Sequence, residues 1–119
     1  MSDPAALALA DAEDRAFKAL GHRDRRAILR VIGDAEVPVG DVVDRVELDQ
    51  PIVSQHLRVL RDAGLVSVRV DENRRLYSVD FVRFAELRQF LDLFWRDKLA
   101  LLKQVAEAPE RRPRREDDR

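Results

Sequence analysis

Between Gln50 and Arg58 the chain reads QPIVSQHLR, and the side chains of this stretch that can do chemistry share one side of a helix. If Val53, Leu57 and Leu60 turn inward, the 100° step per residue turns Gln50, Pro51, Ser54, Gln55 and Arg58 outward together. That outward face holds no acid. A glutamine amide offers a donor and an acceptor to an adenine edge, serine pairs with several bases or a phosphate, and arginine meets guanine or phosphate. This is recognition chemistry, not bond making. Further on, in RVDENRR, Arg69, Asn73, Arg74 and Arg75 are suited to following a phosphate strand or entering a narrow minor groove. Residues 50–75 hold five arginines (58, 61, 69, 74, 75) against three acids (62, 71, 72), in a chain whose net charge is -1 and whose pI is about 6.1. The basic character is therefore local. Both features have a plainer explanation: any exposed amphipathic helix is polar outside, and a charged hairpin tip is often merely solvated.

Other chemistries find little support. The chain has no cysteine, which removes disulfides, thiolate metal sites and thiol nucleophiles together. Its two histidines are His22 and His56. His56 falls near the inner side of its helix and reads as a packed, hydrogen-bonded residue; His22 falls in a loop and reads as solvated, so neither is expected to hold a metal. No histidine and carboxylate stand at catalytic spacing, and four glycines form no phosphate-cradling loop. We therefore expect a protein that is not an enzyme and has no cofactor. The opening MSDPAALALADAEDR carries acids where a secretory signal carries bases, and no run approaches the roughly 20 apolar residues of a membrane span. A soluble, cytoplasmic protein with no membrane partner is expected.

The elements that must position these residues follow from periodicity. A first helix runs from Asp3 to about Leu20, and a second from about Arg23 to Ile32 with Ile28, Leu29 and Ile32 inward and Gly33 as its exit. After DAEVP, Pro38 sits where a third helix can start, carrying Val39, Val42, Val43 and Val46 and ending by Glu47. Asp49 is a plausible N-cap for the fourth, which runs to Ala63 and is closed by Gly64. The period then drops to two in LVSVRV and again in LYSV, with a turn between in which Asn73 can take a positive φ, so the pair reads as a β-hairpin. A last, long helix from about Phe81 to Ala106 is more apolar than a solvent-covered helix needs. The first and last helices together expose more apolar surface than so small a domain can bury alone, and a two-fold contact through Leu7, Phe17, Leu87, Phe90, Leu91, Phe94, Trp95, Leu101 and Leu102 would cover it. The aromatics Phe90, Phe94 and Trp95 also suit a ligand pocket, with a dimer core preferred. The tail EAPERRPRREDDR has dense charge of both signs and no apolar period, so residues 107–119 are expected to be disordered.

Over roughly Phe17 to Val79 the sequence resembles the ArsR family of bacterial winged-helix repressors, in FKALGHRDRRAILRVI, VGDVVDRV, QPIVSQHLRVLRDAGLVSVRV and RRLYSV. The resemblance implies a homodimer joined through the first and last helices, with operator contacts from Gln50, Pro51, Ser54 and Gln55 and support from Val39. In metal-sensing members, one site draws cysteines from the segment matching EVPVGDV, where this chain has Pro38 and Gly40; another uses acids and histidines of the last helix, where this chain has no histidine. Metal sensing is therefore not expected, because soft and borderline metals prefer thiolate and imidazole.

The expected fold is mostly α (α+β): a single winged helix-turn-helix domain over residues 1–106, with about five helices and one hairpin wing. Within it, residues 1–20 and 81–106 dimerise and residues 21–80 form the winged helix-turn-helix. The expected function is a repressor binding double-stranded, palindromic operator DNA, with an organic ligand or protein inducer left open. A winged-helix module used for protein-protein contact is the alternative, since fold alone does not establish DNA binding.

Overall fold

A computed structural model describes residues 3–107, and the expected disordered tail lies outside them apart from Glu107, the last residue of the final helix. The order is α1 (Pro4–Leu20), α2 (Arg23–Ile32), β1 (Val37–Pro38), α3 (Val39–Val46), α4 (Gln50–Asp62), β2 (Val66–Asp71), β3 (Arg74–Val79) and α5 (Phe81–Glu107). Five helices and a small antiparallel sheet make the mostly helical winged helix-turn-helix that the sequence periods predict.

Residues up to Ala85 form one compact unit and those from Glu86 a second. In the first, Ile28, Ile32, Val42, Val53, Leu57, Leu60 and Leu65 are fully enclosed side chains. They come from α2, α3, α4 and the start of the hairpin, so the same core that stabilises the unit orients α4. Helix ends are set locally. Asp3 Oδ1 accepts from Ala5 N at 3.2 Å before α1, and Asp80 Oδ1 accepts from Val82 N and Arg83 N at 3.1 and 3.3 Å before α5. The end of α1 is held by arginines of α2: Arg25 Nε donates to Ala19 O and Arg26 Nη1 to Leu20 O, each at 2.7 Å. In the second unit, Phe90 and Phe94 meet edge-on at 5.3 Å between ring centres.

Three local expectations are corrected. Pro38 does mark the start of α3, but as its N-cap and not as a helical residue; with φ -71° and ψ 156° it is extended, and Val37 and Pro38 pair with Tyr77 and Leu76. The hairpin thus gains a third strand in the order β1-β3-β2. A two-residue strand is too short for any period to show, and proline is tolerated at a sheet edge because it needs no ladder donor. Asp49 precedes α4, but its side chain makes no cap bond. Pro51 has no N–H to offer, and Ile52 N donates to the Asp49 carbonyl at 3.0 Å instead. At the wing tip the positive φ falls on Glu72 (58°), not Asn73. Asp71 pairs with Arg74, leaving Glu72 and Asn73 as a two-residue turn, and a positive φ at only the first of these is the type II′ pattern.

Candidate nucleic-acid interface

α3 and α4 are joined by residues 47–49, where Glu47 takes a left-handed conformation (φ 59°, ψ 42°) that reverses the chain tightly. α4 then buries Val53, Leu57 and Leu60 at 0%, 1% and 0% exposure. With one stripe fixed, helical geometry leaves the opposite one no choice. Gln50, Pro51, Ser54, Gln55 and Arg58 are all exposed, on a face whose first acid is Asp62, one turn beyond Arg58 at the end of the helix. Val39, at the start of α3, is half-buried. Asn73, Arg74 and Arg75 are exposed at the tip of the wing.

Arg69 lies on the outer face of β2, with its guanidinium engaged. Nε and Nη2 donate to the two carboxylate oxygens of Glu36 at 2.7 and 2.8 Å, a bidentate pair that ties the wing to the segment before β1. The hydrogen bond from Arg69 holds the Glu36 carboxyl below its usual range and keeps it an acceptor. Glu36 was not among the residues expected to matter, and nothing near it in the sequence signals a partner 33 residues away.

The largest departure from expectation concerns the histidines. His22 is the N-cap of α2: its Nδ1 accepts from Asp24 N at 3.1 Å. His56, on α4 beside Gln55, packs its ring 4.6 Å from that of His22, tilted by 58°. Arg25 Nη1 lies 3.4 Å from His56 Nδ1, and Asp24 Oδ2 lies 4.0 Å from His56 Nε2. Burial, then the neighbouring His22 and Arg25, lower the His56 pKa, with Asp24 acting against them. His56 is thus packed and hydrogen-bonded, as its position suggested, whereas His22 is a capping group and not simply solvated.

Of the residues expected at a dimer contact, Leu7, Leu91, Phe94, Trp95, Leu101 and Leu102 expose 52%, 46%, 63%, 48%, 53% and 53% of their surface. Phe17 and Phe90 are half-buried, and Leu87 is 3% exposed, leaving little for a partner to cover. Neither family metal site finds its full set of donors among the described residues, although α5 holds carboxylates such as Asp92 and Asp97. Pro38 and Gly40, where cysteines would stand, carry no ligating atom, and α5 has no histidine. Among the described residues, no helix is long and apolar enough to cross a membrane.

Residues 22–68 match a model of the bacterial regulatory proteins of the arsR family. An HTH-type transcriptional regulator of Mycobacterium tuberculosis is 42% identical over 82 residues, which span 69% of this chain and 77% of that protein. A crystal structure described as a possible transcriptional regulator for arsenical resistance is 35% identical, with a TM-score of 0.62, over 80% of this chain and 96% of the other. The homodimeric winged helix-turn-helix DNA-binding domain of a Mycobacterium bovis protein superposes with a TM-score of 0.65 at 24% identity, over 82% and 91% of the two chains. That last likeness concerns the fold alone.

Proposed function

The chain belongs to the arsR family of bacterial regulatory proteins, and from that premise we propose that it is a sequence-specific repressor that grips a palindromic operator as a homodimer. The observation that carries this is the outward face of α4: two glutamines, a serine and an arginine with no acid among them, on a helix whose other side is locked into the core. Such a face fits the major groove, and the arginines of the wing tip fit adjacent phosphates. The exposed apolar residues of α1 and α5 support a two-fold contact. Two-fold symmetry in the protein requires it in the DNA, with half-sites about one helical turn, roughly 34–36 Å, apart. A DNA partner puts the protein in the bacterial cytoplasm. The signal that releases it is neither a thiolate-bound metal nor one held by histidines of α5, since the donors are missing; an organic ligand or a protein partner fits the same role.

The test is binding of the full chain to its own promoter region and to random duplex across a salt series. Affinity should favour the promoter and fall steeply with salt, by a log-log slope of about 0.9 per phosphate contacted. Equal binding to both duplexes, or a flat salt response, would sink the operator assignment and favour a protein-protein module.

Glu36 supplies a finer prediction. Its carboxylate occupies the guanidinium of Arg69, which lies on β2, the strand that leads into the wing tip. In Glu36→Gln the charge that holds Arg69 is gone, so Arg69 is free to meet a phosphate. The variant should bind every duplex more tightly at low salt, with the salt slope steeper by about 0.9. An unchanged slope would mean that Arg69 serves only to brace the wing.

A further inference from the structure

We infer that His22, Asp24 and His56 form a binding site for a divalent transition ion of the zinc, cobalt or nickel type, at the junction of α2 with α4. Both histidines of the chain are in this cluster, and one ligand atom from each of the three residues lies within 4.8 Å of the others. They come from separate elements: His22 precedes α2, Asp24 is in its first turn, and His56 is in the middle of α4. Two imidazole nitrogens with one carboxylate oxygen are a borderline donor set, unlike the all-oxygen sets of calcium and magnesium or the sulfur sets of copper(I). Three protein ligands leave a fourth position for water.

Only a modest contraction is needed. With metal-ligand distances of 2.0–2.2 Å, donors around a tetrahedral ion stand about 3.4 Å apart, and His56 Nε2 is already 4.0 Å from Asp24 Oδ2. The hydrogen bonds show which proton must move. A guanidinium only donates, so His56 Nδ1 accepts from Arg25, and His22 Nδ1 accepts from Asp24 N; each neutral ring therefore carries its proton on Nε2. An ion bound at Nε2 shifts that proton to Nδ1, and the ring gives up its Nδ1 bond. Arg25 loses only a 3.4 Å contact, because its Nε stays on Ala19 O at 2.7 Å. His22 exchanges its capping bond for the ion. Since His56 directly follows Gln55, the bound ion ties the start of α2 to the helix that carries the outward face.

Cobalt(II) titrated into the full chain, made without a histidine tag, tests this with no DNA present, so the result is independent of the repressor assignment. We expect saturation at a single equivalent per chain, with the strong visible absorption of four- or five-coordinate cobalt and a zinc-dependent rise in melting temperature. Because asparagine is itself a good N-cap, His22→Asn should keep α2 folded while losing a ligand, and Asp24→Asn alters a partly exposed side chain. Each should weaken cobalt binding by at least the 10- to 100-fold that even outer-shell changes cost. His56→Gln should abolish the absorption. Weak octahedral cobalt absorption in the unaltered chain, or equal binding by folded His22→Asn and Asp24→Asn, overturns the site.

Discussion

Phe94→Asp is expected to give a folded monomer whose operator affinity falls by roughly 10²–10⁴-fold, the advantage lost when two linked half-site contacts become one. Phe94 is 63% exposed in the single chain, so an aspartate there costs the protomer little. In a two-fold interface the same carboxylate would be buried without a partner, and burying an isolated charge is prohibitive. Sedimentation velocity reports the oligomeric state, circular dichroism the fold, and a binding titration the affinity. Leu91→Asp, at 46% exposure, should behave in the same way. Leu87, at 3% exposure, makes a poor probe, since a charge there would disturb the chain itself. An intact Phe94→Asp dimer would remove α5 from the interface.

Gln55→Ala separates reading from anchoring. A bidentate amide on an adenine edge discriminates by about 1–3 kcal/mol, so the variant should lose roughly 5- to 150-fold of its preference for the operator over a site altered at one base pair. Its affinity for random duplex should hardly change. Ser54→Ala should act in the same direction. Arg75→Ala, on the exposed wing, should instead weaken all duplexes about equally and reduce the salt slope by about 1. A uniform loss from both kinds of variant would mean that α4 does not read bases.

These two predictions rest on features of unequal visibility in the sequence. The face of α4 was readable because Val53, Leu57 and Leu60 repeat at helical spacing, and a buried stripe determines what the opposite stripe exposes. The apolar excess of α5 was readable as composition, yet composition does not distinguish Leu87, enclosed within the single chain, from Phe94, which is left exposed. Relative burial depends on neighbours that a linear pattern does not name.

The sequence by itself determined five helices, a wing, the polar outward face of α4 and the lack of cysteine and of a last-helix histidine at the two family metal positions. Each of these is a matter of local period or residue type. Only the tertiary structure decided that the hairpin has a third strand, that Glu36 holds Arg69, and that His22 and Asp24 meet His56. The partners in these contacts stand more than 30 positions apart. Packing α2, α4 and the sheet around one core brings them together, and nothing in their own neighbourhoods encodes it.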